Sequence, residues 1–302
     1  MLRALSVFGS VGLLAGVGVV CGAAGKADGP AKDAAPVVSD AEAIRTAELA
    51  AAAATDAAEN AEAADPSRAA LVRTVELLKD GLERLQTVPA YTCVFEKQEV
   101  VGGCLLDAQV MEMTLRHEPY AVHMAWLEGH PGRELMYEDG ANDGCMLINP
   151  GGWKQRLTGT LKLDIHGALA TREARHPCTS LGMGRLAKKL LRYRVAELAA
   201  ASTVACELTG GHTFDGRPCW QNILTYKDEN LAGEFRKSIV LIDREWNLPV
   251  SVRTFGWPAE ACEAADLDEA TVIERYAYTD VNLAPPKQLA DLGELAGRFR
   301  VR

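Results

Sequence analysis

From Pro89 onward the hydrophobic pattern repeats every two residues, and this constrains the fold more than any other feature of the chain. Tyr91, Cys93 and Phe95 alternate with Thr92, Val94 and Glu96. Met111, Met113 and Leu115 alternate with Glu112, Thr114 and Arg116, and Tyr120, Val122, Met124 and Trp126 with Ala121, His123 and Ala125. Successive side chains of a strand point to opposite faces, so each run buries one face and wets the other. Similar runs cover 133–138, 144–149, 160–165, 204–209, 218–226, 236–243, 248–255 and 270–282. Turn residues separate many of them: Gly102-Gly103, Pro131-Gly132, Asp143-Gly144, Gly151-Gly152, Gly210-Gly211 and Asp215-Gly216. Short alternating strands with tight turns predict a mainly β fold with helices, in which a curved antiparallel sheet or half-open barrel carries a helical lid.

Two segments break the period of two. Asp65 is a good N-cap and Pro66 suits the first helical position; Leu71, Val75, Leu78, Leu82 and Leu85 then recur at helical spacing, predicting a helix over 66–87 that Pro89 ends. Another helix is expected at 183–200. Met183, Leu186, Leu190, Tyr193 and Leu198 form its apolar stripe, Arg194 interrupts that stripe, and Arg185, Lys188, Lys189 and Arg192 gather opposite. A basic helix on a chain of net charge -9 is either a solvated face or a contact for anionic lipid or an acidic partner.

The first ~67 residues do not read as core, which leaves one domain of about 230 residues. Met1 to Arg3 give a positive start, Ala4 to Ala24 carry no charge, and small residues crowd the end at Gly22 to Gly25. This is a signal peptide or retained anchor over 1–25, and it predicts an exported chain in the periplasm or cell envelope. Val20 before Cys21 argues against lipid attachment there. Residues 26–67 read as an Ala-rich tether, helical at times from a Ser39/Glu42 capping box or else plainly disordered, and 286–302 as a C-terminal tail. Removing the signal leaves seven of the eight cysteines, an odd and irregular set that is no disulfide framework. One pairing is worth testing: a hairpin with its loop near Gly210 to Gly216 would set Cys206 and Cys219 opposite each other.

Chemistry is sparse. The acidic balance argues against a nucleic-acid binder. No H-E-x-x-H, G-x-S-x-G, Walker A or G-x-G-x-x-G occurs, and no metal-ligand spacing, so neither a cofactor, a metal nor a catalytic residue is assigned. Three weaker patterns remain. Gly182-Met183-Gly184 opens a helix and is either an anion site or a turn; His176 and Cys178 are near neighbours; Glu96, Glu99 and Glu112 would face one another across the first hairpin. The candidate binding residues are instead apolar. Tyr91, Phe95, Met111, Met113, Leu115, Tyr120, Val122, Met124 and Trp126 would share one side of three strands, either as a ligand-holding wall or as core beneath the first helix.

The segments Tyr91-Thr92-Cys93-Val94-Phe95-Glu96-Lys97, Gln109-Val110-Met111, Gly132-Arg133-Glu134, Arg175-His176-Pro177 and Gly216-Arg217-Pro218-Cys219 resemble a bacterial domain-of-unknown-function family, known mainly from planctomycete-type bacteria, over about 69–283. The run Ile239 to Glu245, then Leu248-Pro249-Val250 and Tyr276-Ala277-Tyr278-Thr279-Asp280, is similar to the end of the periplasmic lipoprotein-sorting carriers. That resemblance implies a half-open barrel with a concave apolar sheet, a helical lid and a lipid or acyl-chain ligand. Burying about 16 methylenes offers roughly 13 kcal/mol before costs, enough for binding without polar chemistry. The expected function is a non-enzymatic envelope protein holding a lipid or lipoprotein acyl chain. The alternative is a structural protein whose basic helix meets an acidic envelope partner.

Overall fold

The computed structural model describes residues 65–199, 204–259, 263, 265–285 and 292–299. The signal segment, Cys21, the capping box, the tether up to residue 64 and Cys262 lie outside the described residues. The first helix, α1 (Pro66–Leu85), starts where its cap dictates: Asp65 accepts hydrogen bonds from the backbone N–H groups of Ser67 and Arg68. The strands follow as β1 (Ala90–Val101), β2 (Cys104–Leu105), β3 (Gln109–Arg116), β4 (Ala121–Glu128), β5 (Glu134–Glu138) and β6 (Cys145–Asn149). A short helix α2 (Gly152–Thr158) leads to β7 (Leu161–Asp164), then to α3 (Ala168–Thr171) and the long α4 (Met183–Ala199). The chain continues through β8 (Val204–Phe214), β9 (Arg217–Tyr226), α5 (Glu229–Ala232), β10 (Lys237–Asp243), β11 (Pro249–Phe255), α6 (Leu267–Ala270), β12 (Val272–Asn282) and α7 (Leu292–Ala296).

All these strands join one 12-stranded antiparallel sheet in the order β7-β6-β5-β4-β3-β1-β12-β11-β10-β9-β8, with β2 off the path on β1. Its two edges, β7 and β8, do not pair, so the sheet is open rather than a closed barrel. Sequential hairpins build both halves, and β1–β12 joins them: Phe95 lies opposite Tyr278, Lys97 opposite Tyr276, and Glu99 opposite Glu274.

One face of the sheet carries the main core. Tyr91, Phe95, Met111, Met113 and Leu115 are buried there with Leu71 and Leu78 of α1 and Met183 of α4. Helix α1 packs on α4 and β8 rather than over the first strands. The start of α4 covers those instead. Gly182 has φ +99, and a Cβ there would lie 2.4 Å from Leu115 and 2.8 Å from the Tyr91 hydroxyl, so only glycine lets the backbone come so close. The Met183 N–H donates to that hydroxyl at 2.8 Å. The Gly182-Met183-Gly184 turn is therefore a packing device, its donor taken by the protein itself.

Arg194, which interrupts the apolar stripe of α4, is also explained. It is buried and bonded to Glu197 at 2.8 Å, Asn222 at 3.1 Å and Ser238 at 3.0 Å, tying the helix to β9 and β10. The reverse face is thinner. Part of the expected tail, Leu292 and Phe299, packs there on Ala121, Met136 and Leu147.

The β8–β9 hairpin forms, but Cys206 stands opposite Leu224 and Cys219 opposite His212. Both thiols are free, so the proposed bridge fails on register.

Candidate functional site

Between β4–β7 and the chain leading into α4 lies a pocket of about 240 Å³. Trp126, Leu135, Met146, Ile148 and Leu163 supply much of its floor. These positions share a face because Met124 pairs with Leu135, Leu135 with Ile148 and Met146 with Leu163 across successive strands. The roof is not a long helix. It is the largely irregular stretch from Ile165 to Leu181, which includes the one-turn α3 and presents Leu169, Ala170, Pro177 and Leu181 to the floor.

Polar contacts hold this roof in place. Lys97 Nζ donates to the Glu173 carbonyl at 3.0 Å, Arg133 pairs with the Glu173 carboxylate at 2.6 Å, and the Arg175 N–H donates to Glu99 at 3.1 Å. The Tyr120 hydroxyl donates to the Cys178 carbonyl at 2.8 Å. Each bond is charge-assisted or buried, the kind worth most.

One end of the pocket is polar. Glu99 and Glu274 are cross-strand neighbours, 4% and 3% exposed, so two carboxylates share a dry site. The Tyr276 hydroxyl reaches both, Lys97 pairs with Glu99 at 3.0 Å, and His176 with Glu274 at 2.9 Å. Lys189 of α4 lies 3.9 Å from Glu274 and 3.3 Å from His176. Burial alone would raise the Glu274 carboxyl, but the His176 hydrogen bond and the Lys189 and Arg175 charges outweigh it and hold the carboxyl below its ordinary value. Burial and the two carboxylates push the Tyr276 hydroxyl far up, so it stays a donor. A second pocket of about 340 Å³ lies under α4 on the other side of this cluster and shares Phe95, His176 and Leu181 with the first.

The predicted wall residues in β1, β3 and β4 fall on one face, as their register requires, and Tyr120 just before β4 is buried in the same core. Phe95, Met124 and Trp126 line the first pocket, and Trp126 donates to Gln109 at 2.9 Å. Tyr91, Met111, Met113, Leu115, Tyr120 and Val122 are buried in the core beside it. The four cations of α4 separate. The Arg185 guanidinium stacks 4.4 Å from the Tyr120 ring centre, Lys189 and Arg192 line the second pocket, and Lys188 is exposed.

The weaker chemical patterns resolve as well. Glu96 and Glu112 share the face opposite Glu99, because odd and even positions of β1 point apart, so the expected trio does not meet. Burial pushes the Cys178 thiol up to about 12, which removes the thiolate a His/Cys nucleophile needs. His176 finds its partner in Glu274 instead. No cluster of metal-ligating residues occurs among the described residues. The Glu99–Glu274 pair is what sequence reasoning missed. The family-like Arg175-His176 segment was its one visible sign.

With this geometry in view, residues 88–292 match the model of a family described as a protein of unknown function, DUF1571. The chain belongs to the DUF1571 family. The match agrees with the motif-based resemblance over 69–283. A search of curated proteins returns no match. Among solved structures, the chain is similar to the lipoprotein LppX of Mycobacterium tuberculosis, with 10% identity, a TM-score of 0.40, and 71% of this chain and 97% of that one covered. Another is the MucA/MucB complex of Pseudomonas aeruginosa, at 14% identity and TM-score 0.40, where 76% of this chain spans only 63% of the other. A third is a putative outer membrane lipoprotein-sorting protein domain from Vibrio parahaemolyticus, at 8% identity and TM-score 0.33, covering 73% and 97%. Among the described residues no helix is long and apolar enough to cross a membrane.

Proposed function

We propose that this member of the DUF1571 family is a non-enzymatic protein of the cell envelope that holds the acyl chain of a lipid or lipoprotein. The reading rests on one observation: an apolar pocket of about 240 Å³ with a sheet floor, an irregular roof and a polar end. Ligand pockets run from roughly 300 to 1,000 Å³, so this one suits a single chain segment rather than a folded diacyl lipid. The chain lies along Met146, Ile148 and Leu163, and the polar head faces Lys97, Arg133 and His176. Glu99, Glu274, His176 and Tyr276 bond to one another, an arrangement that favours a fixed polar wall over acid–base turnover.

The test is native mass spectrometry of protein purified from envelope fractions, alongside titration with a fluorescent fatty acid. An adduct of lipid mass and saturable binding are expected. Ile148→Trp, which fills the pocket, should weaken fatty-acid binding tenfold or more without unfolding the protein, since Ile148 is only half-buried. A clean apo mass with no fatty-acid binding would sink the reading.

The rival, a structural protein docking an acidic partner, draws on the exposed Lys188 and Arg192 of α4. Charge reversal at these two that abolishes envelope localisation and spares fatty-acid binding would favour it.

A further inference from the structure

We propose that the surface flanking the first pocket, built on α2 and α3, docks on an anionic lipid bilayer. Single exposed apolar residues need no explanation. Here three large ones flank one pocket: Trp153 is 68% exposed, Leu157 70% and Leu169 66%. Trp153 and Leu157 stand four apart on α2 and so share one side of that helix. Helix α2 is joined directly to the pocket, since Pro150 before it and Leu161 after it are both lining residues. Leu169 on α3 lines the pocket itself while remaining exposed. The chain thus leads from the pocket into α2 at both ends of that helix, and Leu169 joins the roof to the surface.

Charge selects the occupant. Lys154 and Arg156 on α2 and Arg172 beyond α3 are exposed and have no carboxylate partner among the described residues, whereas most of the cations around the pocket are paired. This basic patch sits on a chain of net charge -9, so overall charge does not account for it. Tryptophan and leucine beside unpaired Lys and Arg are the groups that bury at the headgroup boundary while their cations meet lipid phosphates. Each such cation near an anionic surface adds a similar increment. A protein partner on the open β7 edge is the competing occupant. Lys162 projects from that strand and pairs with Asp143, which discourages an added strand. Docking does not depend on the proposed acyl ligand, but it would set the pocket mouth against a source of one.

The experiment uses the full chain and vesicles of phosphatidylethanolamine with phosphatidylglycerol, some carrying brominated acyl chains, against vesicles of phosphatidylcholine alone. Brominated lipid should quench part of the tryptophan fluorescence, and Trp153→Phe should remove that part while flotation with vesicles persists. Lys154→Glu with Arg156→Glu should weaken this quenching by roughly tenfold or more at low salt. Fatty-acid binding in solution, measured on the same variants, should stay at the wild-type level, which separates failure of docking from failure of the pocket. Quenching that is absent, that is unchanged by Trp153→Phe, or that is equal on neutral vesicles overturns the proposal. So does self-association or protein capture through β7 that survives these substitutions.

Discussion

The two halves of the sheet start from the same alternating pattern and end differently. On the side of β8–β12, helices α1 and α4 lie over the strands and bury them: Leu71, Leu78, Val240, Ile242 and Leu224 are all nearly inaccessible. On the side of β4–β7 the cover is an irregular stretch whose roof contacts include four polar links, and a pocket remains beneath it. A helix presents a continuous apolar stripe and fills the gap above a sheet. A loop cannot do this, because its own backbone groups need partners; here Lys97, Glu99 and Tyr120 supply some of them. Packing is thus divided along one sheet: it is tightest toward β8–β10, and looser where the loop roofs the first pocket and where α4 leaves the second beside the polar cluster.

Core truncation gives the strongest test of that division. Leu78→Ala removes a fully buried side chain of α1 and should cost about 2–5 kcal/mol. Ile148→Ala on the half-buried pocket floor should cost about 1 kcal/mol, because a cavity is already there. Chemical denaturation of both variants checks this, and equal losses would break the comparison. Next is Gly182→Ala at the junction between the halves, where the added methyl strikes Leu115 and Tyr91 at positive φ. A loss of about 1–3 kcal/mol is expected in the same assay.

The smallest effect is electrostatic. Glu274 is held below its ordinary value of 4.5 by His176, Lys189 and Arg175 against the opposing pull of burial. A carboxyl with a lowered folded value binds its proton less readily folded than unfolded. Its stabilisation is therefore present above about pH 4.5 and is lost as the pH falls through the folded value. Melting temperatures measured downward from pH 6 should drop below that point, and Glu274→Gln should flatten the slope there. An unchanged slope would remove Glu274 from the forces that secure the roof.

Much of this fold was legible in the sequence because local signals and tertiary burial agree. The alternation in β1, β3 and β4 has the parity of the observed registers, and the cap at Asp65 and the glycine turns mark many of the boundaries. The halves differ here too. Much of the well-covered half was read nearly to the residue, with 183–200 against Met183–Ala199 and 218–226 against Arg217–Tyr226, although β8 runs to Phe214 where 204–209 was expected. Around the pocket, α2 and α3 went unread, because Gly152–Thr158 and Ala168–Thr171 are too short for periodicity to register. The polar end was invisible for another reason. Glu99 and Glu274 become neighbours only when the first and last long strands pair, and nothing local to either residue marks the other. Cys206 and Cys219 show the converse: the hairpin was foreseen, but its register was not, because β8 continues to Phe214 and the chain turns at Asp215-Gly216 rather than across 210–216.

The seam between β1 and β12 also bears on how the molecule is made. Tyr276 grips Glu99 across 177 residues of chain, so β1 has one flank zipped early to β3 and the other bare until almost everything downstream has been synthesised. Such a distant pairing is slow to close, and a naked strand margin invites neighbouring chains in the meantime. Truncated products ending before residue 272 lack the closing strand altogether and should clump rather than persist as soluble fragments.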